Sequence, residues 1–172
     1  SYAARMSTPT STTAPGHAPG DAPGDAPEYV LGTDAVEAQR LALQHRLWSG
    51  AAHEIWDRAG VRPGSRVLDL GCGPGHATLD LAAIVGAEAT LGAPRTGRVV
   101  ALDESPAFLE QLRQACAARG LTNVTPVQGD AQKLGEALRA EPATAAAVTG
   151  RQREGFDVAY ARWVFCFLAD PE

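Results

Sequence analysis

The chain has 172 residues, 45% of them hydrophobic, with 15 basic and 20 acidic side chains and a formal charge of −5; this suits one domain and is short for two. A single lysine, Lys133, leaves no polybasic tract of the kind that holds a phosphate backbone or an anionic bilayer, so neither nucleic acid nor membrane is expected as a partner. Cys72, Cys116 and Cys166 are odd in number and far apart, which fits a reducing, cytoplasmic setting better than a disulfide framework. The first residues lack a basic-then-apolar secretion signature, and no run approaches the length of a membrane span.

Within residues 1–27, residues 9–27 repeat an Ala-Pro-Gly-Asp-like unit, with Pro15, Pro19, Pro23 and Pro27 at steps of four. Such spacing favours extended, solvated backbone with too little apolar surface to offset ordering entropy, so this stretch is expected to be a flexible tail. About 145 residues remain to build a core. At Asp34 the pattern turns helical: Asp34 and Glu37 form a capping pair, Val36, Leu41, Leu43, Leu47, Trp48, Ile55 and Trp56 form a broad apolar face, and Gly60 ends the run, with Gly50 a point of division. Residues 28–60 thus read as a helical lid or cap. Val67, Leu68 and Leu70 follow the Pro63-Gly64 turn as a dense strand of the kind buried in a parallel sheet.

Strand and helix then alternate, with helices over 75–85, 106–119 and 131–140 and strands over 98–102, 124–128 and 156–160. This is the rhythm of a doubly wound α/β sheet. The helix over 106–119 is the best specified: Ser105 caps it, Pro106 takes its first position, Phe108, Leu109, Leu112 and Cys116 give its buried face, and Gly120 closes it. Residues 86–97 and 141–155, rich in Gly, Ala, Pro and Thr, are expected as surface loops, the second with room for a weak helical turn.

The strongest local signal is VLDLGCGPGHATL, residues 67–79. A buried strand runs into Gly71-Cys72-Gly73-Pro74-Gly75 and then into a helix, so the glycines allow a tight turn and a close approach of backbone to ligand. His76 stands where the dinucleotide fingerprint wants its last glycine, and no lysine with Ser or Thr follows to make a phosphate loop. There is no H-E-x-x-H run, no Cys-x-x-Cys pair and hence no metal expected.

Together with GRVVALDESPAFLEQLR, NVTPVQGDAQKL and FDVAYARWVFCFLADPE, the segment resembles the class I S-adenosylmethionine-dependent methyltransferases over about residues 60–172, most nearly those acting on small molecules in cofactor and natural-product biosynthesis. The resemblance implies a Rossmann-like sheet over 61–172 that binds S-adenosylmethionine and releases S-adenosylhomocysteine. Four strands are identifiable where that family usually has seven, so the sheet is expected to be incomplete at its C-terminal end, with a homodimer or a completing polypeptide as the expected partner.

The resemblance also carries roles. Asp69 is implied near the methionine ammonium, directly or through water, with Gly71, Cys72, Gly73 and Gly75 lining the amino-acid and ribose portion. Asp103 suits both ribose hydroxyls, or is a helix-start residue; Glu104 touches the adenosine edge. Asp130 receives the adenine amino group, or is a cap, and Ala131 offers its backbone N–H to a ring nitrogen, with Leu134 as apolar neighbour. Arg162 either pairs with a carboxylate or forms a surface ion pair. Trp163, Phe165 and Phe167 either wall off a transfer site or fill core, and Tyr29 is the aromatic residue expected to cover the cofactor. His45 and Arg162 are the candidates for catalysis. The implied function is methyl transfer to a small organic acceptor, with oxygen preferred as the methylated atom; the alternative is a non-catalytic module of the same fold that binds a partner or ligand.

Overall fold

The computed structural model describes residues 35–87, 97–149 and 155–166. Along the chain run helix α1 (Ala35–Arg58), strand β1 (Arg66–Leu70), helix α2 (His76–Val85), strand β2 (Arg98–Asp103), helix α3 (Pro106–Arg119), strand β3 (Val124–Gln128), a 3-10 turn over Ala131–Lys133, helices α4 (Leu134–Ala140) and α5 (Pro142–Thr149), and strand β4 (Val158–Ala161). The four strands form one parallel sheet in the order β3-β2-β1-β4. The chain winds outward from β1 to β3 and then returns to lay β4 on the other side of β1. Such a reversal opens a crevice at the carboxyl ends of the central strands, where an open α/β sheet binds its ligand. The architecture is a partial Rossmann-like sheet preceded by a helix, as the alternation of the sequence implied.

Both faces of β1 and β2 are buried, which is why their sequences are dense apolar runs. On one face Val67 and Val99 meet Trp56 of α1 and Leu81 and Val85 of α2, while Ala101 meets Leu109 and Leu112 of α3. On the other, Leu68, Val100 and Leu102 meet Leu138 of α4. β4 is tied to β1 at its start, where the Arg66 backbone N–H donates to Asp157 at 2.7 Å and the guanidinium adds a contact at 3.1 Å. That pairing holds the Asp157 carboxyl below its ordinary value.

Four local expectations change. Gly50 does not divide the first helix, which runs unbroken for 24 residues. Nor is the broad apolar face of α1 buried: Val36, Leu43, Leu47, Trp48 and Ile55 are exposed, and the stripe turned inward carries Glu37, His45, Ala52 and Trp56. Residues 142–149, read as loop, are helix α5. Pro142 sits at its first position, Glu141 accepts the Ala143 N–H at 3.2 Å, and the buried Thr144 hydroxyl donates to the Leu138 carbonyl at 2.6 Å. The last strand begins at Val158, two residues later than its sequence suggests. The tail over 1–27, Asp34 and most of the 86–97 segment lie outside the described residues.

Candidate functional site

The glycine loop follows β1 because its backbone is left-handed where a side chain would not fit. Gly75, at φ 89°, starts α2, and a Cβ there would run into the Leu112 side chain; a Cβ on Gly71, at φ 62°, would strike Val164. At Gly73 the nearest atom to such a Cβ is Leu41 Cδ1 at 3.9 Å. The loop therefore presses on protein at both ends and faces open space in the middle. That space is a cavity of about 410 Å³ at the carboxyl ends of the strands, within the range of small-ligand sites. It is lined from every strand: Asp69 and the loop after β1, Asp103 and Glu104 after β2, Asp130 and Ala131 after β3, and Arg162 and Trp163 after β4. Arg40, Leu41 and Gln44 of α1 close one side.

Asp69 is buried to 2% exposure, and its Oδ2 accepts the Thr78 hydroxyl at 2.6 Å. Burial pushes its pKa up to about 7, with the Thr78 bond and the Arg162 charge pulling down and Asp103 pushing up. A carboxyl so desolvated is ready for a cationic neighbour. Asp103 accepts the Gly73 N–H at 2.7 Å on one oxygen and the Ser105 N–H at 2.9 Å on the other. Burial raises its pKa against those two bonds. The carboxylate thus shapes the glycine loop, and each oxygen keeps a lone pair for a hydroxyl of a ligand. Burial, then Asp130 and Asp103, raise the Glu104 carboxyl.

Asp130 does cap the turn that follows it, accepting the Gln132 N–H at 2.8 Å, while also lining the cavity. The Cys72 thiol is buried and held well above its ordinary pKa, first by burial and then by Asp69 and Asp103. It donates to the Gly73 carbonyl at 3.5 Å, and its backbone N–H joins the loop to β2 through the Leu102 carbonyl at 3.0 Å. It is a wall of the site and no nucleophile.

The two residues singled out for catalysis meet each other. Arg162 Nη2 lies 3.4 Å from His45 Nδ1, and His45 Nε2 lies 3.0 Å from Asp80 Oδ2. His76, noted in the sequence only for breaking a glycine pattern, lines the cavity with its ring stacked on His45 at 5.7 Å. Burial, then the adjacent His45 ring, lowers its pKa. Thr78, Asp80, His76 and Tyr160 are the site residues that sequence reasoning missed. Only the spacing of His76 and Asp80, one turn apart on α2, offered a signal. Trp163 adopts φ 65°, rare for a bulky residue, and is half exposed at the rim. Tyr29 and Phe167 lie outside the described residues. Among the described residues no group of three or more His, Cys, Asp or Glu is placed to hold a metal, and no helix is long and apolar enough to cross a membrane.

Residues 62–171 match the family described as "Methyltransferase domain". The chain belongs to that family. It is a class I, S-adenosylmethionine-dependent methyltransferase domain by fold and by relatives. It is 38% identical over 103 residues to the ubiquinone/menaquinone biosynthesis C-methyltransferase UbiE of Ectopseudomonas mendocina (strain ymp), covering 56% of this chain and 37% of that protein. The protein of the same name from Teredinibacter turnerae is 35% identical over 113 residues, covering 62% of this chain and 42% of its own length. Among solved structures, the arsenic(III) S-adenosylmethionine methyltransferase CrArsM of Chlamydomonas reinhardtii is 28% identical with a TM-score of 0.46, covering 63% of this chain and 32% of that one. The chain spans about two fifths of the length of these curated relatives.

Proposed function

We propose that the cavity binds S-adenosylmethionine and that the whole protein transfers its methyl group to a carbon atom of a small organic acceptor. The observation that carries the reading is the convergence of Asp69, the Gly71–Gly75 loop, Asp103 and Asp130 on one cavity at successive strand ends. The donor set fits the cofactor: a buried carboxyl for an ammonium at Asp69, lone pairs for a diol at Asp103, a backbone turn lining the cavity at Asp130–Ala131 for an adenine edge, and a loop whose central glycine opens onto space. Carbon replaces the oxygen preferred from the sequence because the quoted relatives are named C-methyltransferases of quinone biosynthesis.

The bound cofactor supplies an electron-poor sulfonium methyl for in-line attack. The chain's own residues then have three tasks: to orient the donor, to keep water out, and to hold charge around it. Asp103 couples the loop to the ribose site, so that binding and loop geometry are one event. Trp163 and Val164, which line the cavity, would shield a bound donor from water. Titration calorimetry with S-adenosylhomocysteine tests the reading. Wild-type chain binds, and Asp103→Ala binds more weakly by about 1–3 kcal/mol; absence of binding by folded wild type overturns it.

A further inference from the structure

Three side chains from three separate elements meet behind the cavity wall, and of these Arg162 lines the cavity. His45 comes from α1, Asp80 from α2 and Arg162 from the turn after β4, joined by contacts of 3.0 and 3.4 Å. A guanidinium only donates and a carboxylate only accepts, so the imidazole between them satisfies both in a single state. That state is neutral, with the proton on Nε2 donated to Asp80 and the bare Nδ1 accepting from Arg162. Both ring nitrogens are spent in this bridge. His45 therefore has no free lone pair with which to take a substrate proton, and its place is structural support of the arginine.

What the bridge leaves over is informative. Arg162 Nη1 is buried and has no hydrogen-bond partner among the described residues, and the same holds for Nε2 of His76, whose ring stacks on His45. The Arg162 charge acts on Asp69 and His76, both of which line the cavity with it. A buried guanidinium nitrogen left unpaired is costly unless a bound molecule completes it. The group that best completes a guanidinium is an oxyanion.

We propose that Asp80 and His45 are positioning residues which hold Arg162 so that its Nη1 donates to a carboxylate of the molecule bound in the cavity. The proposal rests on the reading of the cavity as the S-adenosylmethionine site. The carboxylate belongs either to the methionine portion of the cofactor or to an acidic acceptor, and the test separates the two sources.

Calorimetric titrations of the full chain compare wild type with Arg162→Gln, His45→Ala, His45→Gln and Asp80→Asn. The first ligand pair is S-adenosylhomocysteine and its decarboxylated analogue. The second, added to protein saturated with S-adenosylhomocysteine, is benzoate and benzyl alcohol. Arg162→Gln is expected to lose about tenfold or more in affinity for the carboxylate member of one pair, with the uncharged member unchanged. His45→Ala and Asp80→Asn lose a smaller factor in the same selective way, and His45→Gln, whose amide both donates and accepts, retains most of the affinity. Selectivity in the first pair assigns the cofactor's carboxylate, and selectivity in the second assigns the acceptor's. A structural role alone would weaken both members of a pair alike, and that result overturns the proposal, as do variants that match wild type throughout. Wild type that binds neither nucleoside ligand overturns the cofactor reading and this proposal with it, whereas wild type that binds both beside unchanged variants overturns this proposal only. Thermal unfolding checks each variant, and His45→Gln keeps the test open where His45→Ala fails to fold.

Discussion

Asp69 shows how one buried carboxyl couples stability, pH and binding. Its pKa of about 7 in the folded chain stands above the ordinary 3.8, so between those values the folded state holds a proton that the unfolded state has released. Stability must then fall as pH rises from about 4 to about 7 and level off above. At 1.36 kcal/mol per unit the loss is of order 4 kcal/mol at most. Asp69→Asn keeps an acceptor for Thr78 and removes the ionisation. Urea unfolding at pH 4.5 and pH 8 is expected to show a decline for wild type and none from this position in the variant, which is the more stable of the two at pH 8. Parallel pH profiles would refute the assignment. If the cofactor's ammonium sits beside Asp69, it favours the charged form, and affinity for S-adenosylhomocysteine rises with pH up to about 7. A different residue-scale constraint acts at Gly75, where positive φ and the Leu112 side chain both exclude a Cβ. Gly75→Ala is expected to cost about 1–3 kcal/mol through overpacking and to distort the loop, measured as a lower denaturant midpoint together with weaker cofactor binding.

Elements whose signals are local were legible, and those that depend on distant partners were not. Helix α3 matches its expected bounds because Ser105, Pro106 and Gly120 state its ends chemically; Ser105 Oγ accepts the Phe108 N–H at 3.2 Å. Ser105→Ala is accordingly expected to lose about 1 kcal/mol of stability, seen in thermal or denaturant unfolding; no change would mean that the Asp103 contact to the Ser105 N–H carries the cap alone. Helix α5 lies where a segment rich in Gly, Ala, Pro and Thr reads as a surface loop with room for only a weak helical turn, although proline is favoured at a helix's first position and Glu141 supplies the preceding acceptor. The same contrast governs the site. The glycine loop and the acidic residues at strand ends follow from spacing within a few residues. The bridge from Asp80 through His45 to Arg162 spans separations of 35 and 117 residues. No periodicity in α1 distinguishes an inward histidine from an outward one, and of the apolar residues of that helix Trp56 is buried while Val36, Leu43, Leu47, Trp48 and Ile55 are not.

At the scale of the whole molecule, α1 is held by two unlike anchors. Its second half buries Ala52 and Trp56 against the sheet, with the Trp56 ring edge-on to Tyr160 at 5.3 Å. Its first half buries Glu37 and His45 and leaves Val36, Leu43, Leu47 and Trp48 exposed, and the contact that ties it to α2 is polar, His45 to Asp80 at 3.0 Å, whereas the pair of Arg40 and Glu37 at 2.7 Å lies within the helix itself. Hydrogen bonds of this kind contribute about 1 kcal/mol each, whereas a fully buried large apolar side chain contributes roughly 1.5–3 kcal/mol. The second half should therefore open with the core and the first half on its own, at lower free energy. Because Arg40, Leu41 and Gln44 line the cavity, a ligand there gains contacts with the looser half only and must slow its opening in proportion to the binding. Hydrogen exchange followed by mass spectrometry is expected to find peptides from 35–48 exchanging faster than those from 49–58 in the free chain, and to find saturating S-adenosylhomocysteine slowing the former by a factor of ten or more at about 100-fold excess over the dissociation constant. Uniform protection along α1, or slowing confined to 49–58, would show that the helix is a fixed wall and that the cavity closes by some other element.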